Sequence, residues 1–223
     1  MNSYRINNHR GRGFTLIELL VVIAIIGILA ALLLPAGKAM LEKSAKNRAR
    51  TELVKLASAI EAYKVKTGHY PPDNINNVAL APLYYELAGC YRTNIGGTDY
   101  FMTLDNSAKI SVSDLSFTFG QNGIVNCSTG AGDEGGGSAS RVLTEVKPNQ
   151  YGETVAGNGV RVLGVQMKGP LPMYPSGSGE VLPFRYQMTN PTNNVNGFDL
   201  WLDIKVGNKT NRISNWSEAP ITL

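Results

Sequence analysis

The 223-residue chain predicts an α+β fold, with one long helix first and an antiparallel sheet domain after it. Three observations carry this. Residues 14–34 are almost wholly apolar. Residues 41–63 repeat apolar side chains at spacings of three and four. After Gly68 the composition turns to Gly, Asn, Thr and Pro, with short runs in which apolar and polar residues alternate.

The helix comes in two halves. Phe14–Leu34 is 21 residues long; at 1.5 Å per residue it rises roughly 31 Å, the thickness of a bilayer core of about 30 Å. Residues 14–34 are therefore expected to form a membrane-spanning helix. A secretory signal has a shorter apolar region followed by its cleavage site. Here the basic stretch 1–13 ends in the accessible sequence Gly11-Arg12-Gly13, ahead of the apolar run. One carboxylate, Glu18, lies near the start of that run. A charge within a membrane segment is costly and asks for a partner.

Residues 35–67 are expected to continue as an amphipathic helix. Pro35 is the expected kink, because it removes a backbone donor inside a helix. Leu41, Ala45, Ala49, Leu53, Leu56, Ile60 and Tyr63 form one apolar stripe, while Glu42, Lys46, Arg50, Lys55, Glu61 and Lys64 fill the other faces. Gly68 supplies the stop, and Pro71-Pro72 forbid continuation. The stripe is expected to pack on the chain's own sheet.

Residues 68–223 are read as a β-rich globular domain. Phe198–Val206 alternates most clearly, followed by Val160–Val162 continuing through Val165 and Met167, and by Phe184–Met188; Phe101–Leu104, Leu115–Phe119 and Arg141–Val146 are weaker strand candidates. The stretch 120–140 is a Gly-rich loop without the Lys-Ser/Thr ending of a phosphate-binding loop.

Composition narrows the function. With 43% hydrophobic and 17% charged residues the chain is a folding one. Its formal charge of +4 falls to +1 once Arg5, Arg10 and Arg12 leave with residues 1–13, so no nucleic-acid partner is expected. His9 and His69 form no metal pattern, and no Ser/His/Asp, Cys/His or carboxylate constellation supports an enzyme. The two cysteines, Cys90 and Cys127, fit no CxxC spacing; a disulfide and two separate buried thiols are both compatible with them. Counting basic flanks would put the far side of the helix in the cytoplasm, since Lys38, Lys43, Lys46, Arg48 and Arg50 outnumber the leader arginines.

Gly13-Phe14-Thr15-Leu16-Ile17-Glu18 with the following apolar run and Pro35 resembles the N-terminal signal of type IV pilins and type II secretion pseudopilins. The resemblance implies that residues 1–13 are a prepilin leader, that a prepilin peptidase cuts between Gly13 and Phe14, and that the new amine of Phe14 is N-methylated. It implies that Glu18 forms an assembly ion pair with the Phe14 amine of a neighbouring subunit. It also places residues 68–223 outside the cytoplasm, against the basic-flank count, in a single-pass protein of the bacterial inner membrane that is extracted into a filament on assembly.

Thr67-Gly68-His69-Tyr70-Pro71, Pro183-Phe184-Arg185-Tyr186, Asp199-Leu200-Trp201 and Ile213-Ser214-Asn215-Trp216 are similar to stretches of the major pseudopilin. That family carries an acidic calcium loop, whereas Lys205–Arg212 holds no carboxylate. Asp199 and Asp203 are the nearest candidate calcium ligands, and no other cofactor is implied. The expected role is a structural subunit of a periplasmic pseudopilus for type II protein secretion. Its expected partners are prepilin peptidase, other copies of itself, minor pseudopilins, the inner-membrane assembly platform and the lipid bilayer. The alternatives are a type IV pilin or minor pilin serving adhesion, motility or DNA uptake, and a membrane-anchored binding protein that does not polymerise. Residues 79–166 match nothing in this resemblance.

Overall fold

The structure, a computed structural model, describes residues 14–128, 138–143, 145–154 and 159–223, with backbone alone at 32–36. Residues 1–13, expected to be a leader, and the centre of the Gly-rich loop, 129–137, lie outside the described residues. The chain divides into two units, one ending at Lys43 and the other running from Ser44 to Leu223. The helix α1, Leu16–Thr67, contributes to both, and its helical assignment runs through Pro35, the position of the expected kink.

In the first unit the apolar side chains of α1 point into open space: Leu16 is 82% exposed and Ile28 63%. Among the described residues no helix is long and apolar enough to cross a membrane.

The second unit begins with the amphipathic part of α1. Ala49, Leu53, Leu56, Ile60 and Tyr63 of the predicted stripe are buried, Ala45 packs partly, and Leu41, before this unit, is exposed. Each fully buried Leu or Ile contributes about 1.5–3 kcal/mol, so the stripe is what holds this part of the helix to the domain. The helix stops where Gly68 takes a φ of 83°, a conformation that only glycine adopts without strain.

Next come α2 (Leu83–Ala88), β1 (Cys90–Ile95), β2 (Thr98–Thr103), β3 (Lys109–Ser111), α3 (Val112–Phe119) and β4 (Cys127–Ser128). A short 3-10 turn at Pro148–Gln150 leads to β5 (Tyr151–Glu153), β6 (Arg161–Val165), β7 (Tyr174–Ser176), β8 (Gly179–Pro183), β9 (Arg185–Gln187), β10 (Asp199–Val206), β11 (Lys209–Ser214) and β12 (Ser217–Thr222). Three four-stranded sheets result, in the orders β3-β2-β1-β4, β5-β6-β8-β7 and β12-β11-β10-β9. All their pairings are antiparallel except β1 with β4, which is parallel. Among the described residues the expected antiparallel sheet domain thus comprises three sheets, joined to α1 by one continuous core.

The three clearest predicted strands are β6, β9 and β10, and Phe101–Leu104 falls on β2. Two weaker candidates are corrected. Leu115–Phe119 belongs to α3, not to a strand. Ser111 caps that helix by accepting from the Asp114 amide at 3.0 Å, and Gly120 closes it in the left-handed conformation. Arg141–Leu143 forms no strand, because the amides of Val142 and Leu143 both donate to the Leu87 carbonyl at the end of α2.

On the last sheet, Arg50 of α1 donates to the carbonyls of Ser214, Ser217 and Glu218, fastening the β11–β12 turn to the helix. Trp201 and Trp216 stack edge to face nearby, with ring centroids 5.7 Å apart.

Candidate functional site

The start of α1 is a reciprocal cap. Thr15 Oγ1 accepts from the Glu18 amide at 3.3 Å, while a Glu18 carboxylate oxygen accepts from the Thr15 amide at 2.8 Å and from its hydroxyl at 2.7 Å. This is the Thr-x-x-Glu capping box, which satisfies two backbone donors that a helix start otherwise leaves open. Both bonds from Thr15 go to Oε2, so Oε1 has no hydrogen bond among the described residues. Phe14, 76% exposed, lies with Ile17, Val21 and Val22 around the carboxylate in a shallow apolar hollow. Sequence reasoning singled out Glu18 and missed Thr15, although the spacing of the two residues carries the signal. Gly13 lies outside the described residues.

In the globular unit the structure reveals a second carboxylate that the sequence did not flag. Glu86 of α2 is fully buried and accepts from the Tyr63 hydroxyl at 2.8 Å, the Val125 amide at 2.8 Å and the Asn126 amide at 3.0 Å. Burial pushes its pKa up, and the donors from Asn126, Val125 and Tyr63 pull it back only in part. The Tyr63 hydroxyl is pushed up as well, by burial and then by the neighbouring carboxylate. Glu86 ties α1, α2 and the segment before β4 into one network.

The acids proposed for calcium have other partners. Asp199, 2% exposed, accepts from the amides of Thr192, Asn193 and Asn194 and from the Asn193 side chain, each at 2.9 Å. A nest of backbone N–H groups surrounds it, so it organises the 190–198 loop. Asp203, four residues further along β10, pairs with Arg185 and takes two bonds from Arg212 at 2.7 and 3.0 Å. Among the described residues no cluster of three His, Cys, Asp or Glu could hold a metal.

Cys90 and Cys127 are free thiols in the structure. Each sulfur faces a backbone carbonyl, Cys90 that of Tyr85 and Cys127 that of Ser128. The fold nevertheless brings the two residues together as direct partners in the parallel pairing of β1 with β4.

With the cap, the exposed apolar run and the folded domain in place, comparison with known proteins identifies the first feature. Residues 8–34 match the family described as Prokaryotic N-terminal methylation motif. The chain carries a prepilin-type N-terminus. It is homologous to type II secretion system core protein G of Escherichia coli K12, 42% identical over 82 residues, 36% of this chain and 57% of that protein. The core protein G of Pectobacterium carotovorum is 43% identical over 70 residues, 31% of this chain and 45% of the relative. The type IV major pilin protein PilA of Myxococcus xanthus is 35% identical over 127 residues, 53% of this chain and 56% of the pilin. The chain spans about half the length of these curated relatives. No solved structure matches it.

Proposed function

We propose that the protein is a filament subunit of the pseudopilin type: stored in the inner membrane, trimmed by a prepilin peptidase between Gly13 and Phe14, N-methylated at Phe14, and polymerised into a periplasmic pseudopilus that serves type II protein secretion. The observation that carries this reading is the match of residues 8–34 to the methylation motif, with Thr15 and Glu18 at the helix start. Phe14–Leu34 spans the bilayer in the stored form, and residues 68–223 lie on the periplasmic side. The work is mechanical.

Cleavage turns the Phe14 amide into an amine beside the membrane. Glu18, whose Oε1 is not occupied by the Thr15 cap, then accepts the amine of a neighbouring subunit. In a low-dielectric setting that ion pair sets the register between apolar helices. Before cleavage the amine does not exist, so processing acts as the assembly switch. The partners are further copies of the chain, minor pseudopilins and the inner-membrane platform.

The test pairs a charge variant with a deletion. Glu18→Ala leaves membrane insertion intact and abolishes subunit–subunit crosslinks; persistence of the crosslinks removes the ion-pair mechanism. Deletion of the gene leaves exported proteins in the periplasm.

A second reading, a type IV pilin, is favoured by the Myxococcus pilin alignment, which extends over more of this chain than either core protein G alignment. In that case deletion removes surface fibres and leaves secretion unchanged.

A further inference from the structure

We propose that Cys90 and Cys127 are oxidised to an intramolecular disulfide that staples β4 to β1. The proposal rests on the periplasmic placement above, because the bacterial periplasm oxidises cysteine pairs while the cytoplasm keeps them reduced.

The geometry is that of a cross-strand pair. Cys90 and Cys127 are register partners on neighbouring parallel strands. Neighbouring strands lie about 4.8 Å apart, inside the Cα separation of roughly 4.4–6.8 Å that a disulfide spans. Register partners carry their side chains on the same face, so both sulfurs sit on one side of the sheet. They are also the only cysteines among 223 residues, and the fold has brought them together across a 37-residue separation in sequence.

Within its sheet, the strand that would be stapled is short. β4 is two residues long, and among the described residues β1 is its one strand neighbour. It is retained by the Cys90 amide donating to the Asn126 carbonyl at 2.9 Å and by the Ser128 hydroxyl reaching the Cys90 carbonyl at 3.4 Å. Asn126, immediately before β4, joins Glu86 and Ser140. A covalent link at this point would close β1, β2, β3 and α3 into one ring and fix the acceptor network around Glu86.

The chemistry is a dithiol–disulfide exchange with a protein disulfide donor. Cys127 is half-buried and Cys90 fully buried, so the donor meets Cys127 first. The Cys127 thiolate attacks the donor disulfide, forming a mixed disulfide and releasing one donor thiol. Cys90 then loses its proton, and its sulfur attacks the Cys127 sulfur, expelling the second donor thiol. Two S–H groups give up two protons and two electrons, and the donor disulfide becomes a dithiol. Burial pushes both cysteine thiols up, which keeps uncatalysed exchange slow at neutral pH and makes the donor necessary.

The experiment uses the full chain purified in detergent without reductant. Maleimide is added after denaturation, followed by intact mass and peptide mapping. The expected result is no label, with a Cys90 peptide linked to a Cys127 peptide, and two labels once reductant precedes the maleimide. Reductant is expected to lower the unfolding midpoint of the wild type and to leave a Cys90→Ser/Cys127→Ser double variant unmoved. If two labels appear, the natively folded chain is incubated with oxidised glutathione and a purified thiol–disulfide oxidase. Continued labelling overturns the disulfide wherever the domain resides. Linkage in vitro from a chain that was reduced in cells overturns the periplasmic placement instead, and leaves the pairing geometry standing.

Discussion

Replacing Glu86 by alanine is the substitution most informative about the globular unit. Three donors, the buried Tyr63 hydroxyl and Asn126 amide and the part-buried Val125 amide, lose their acceptor together. A buried donor left without a partner costs about 1–3 kcal/mol. Removing a desolvated carboxylate returns part of this, so Glu86→Ala should lose on the order of 3 kcal/mol. Glu86→Gln keeps one acceptor oxygen for the Tyr63 hydroxyl and the Asn126 amide but turns its NH2 toward the Val125 amide, and should lose about 1–2 kcal/mol at neutral pH, less than alanine. Thermal unfolding of the detergent-solubilised chain, followed by the near-ultraviolet signal of the Trp201–Trp216 pair, separates the two. Burial raises the carboxyl pKa in the folded state. The folded protein therefore holds this proton more tightly than the unfolded chain does. The group's contribution is fully present below the ordinary Glu range and is lost as pH rises through the raised value. Glu86→Gln should flatten that part of the pH profile. An alanine variant as stable as the wild type, or a glutamine variant with the same pH slope, would refute the buried network.

Three further outcomes are expected. Arg50→Ala removes a charged donor from the carbonyls of Ser214, Ser217 and Glu218, and should cost about 2 kcal/mol; faster hydrogen exchange at the β11–β12 turn, read by mass spectrometry, checks it. Gly164→Ala places a Cβ 2.3 Å from Val181 Cγ1 and 2.4 Å from the Leu182 carbonyl oxygen. Because backbone cannot step aside as a side-chain tip can, a loss of about 2 kcal/mol or more is expected in thermal unfolding. Thr15→Val removes the cap hydroxyl but keeps the branched shape. It should weaken the start of α1 by about 1 kcal/mol, seen as faster amide exchange at Glu18 and Leu19, without preventing membrane insertion.

Periodicity made much of the fold legible. The stripe from Ala49 to Tyr63 is buried as spaced, since a helix facing a core must repeat near 3.6, and Asp199–Val206 is a strand because strict alternation suits no other element. Leu115–Phe119 misled because five residues are too few to separate the two periods. Its caps, Ser111 and Gly120, held the information instead. Glu86 was invisible for a different reason. A carboxylate in a short helix looks solvated until its donors arrive from Tyr63 and from residues 125–126, far away in sequence. Cys90 and Cys127 pose the same long-range problem, because a parallel pairing leaves no local signature. The donors around Asp199 were equally hidden, since they come from the amides of the loop that precedes it. At the other end of the chain, Thr15 was legible and overlooked: the four-residue capping pattern stands in the sequence beside the carboxylate that drew attention.

The central claim, that the chain is processed into a filament subunit, is tested most directly by the intact mass of the protein purified from membranes. The expected mass is that of a chain beginning at N-methylated Phe14. A mass corresponding to the full chain from Met1 would contradict the account, because no amine would then exist for Glu18 to meet.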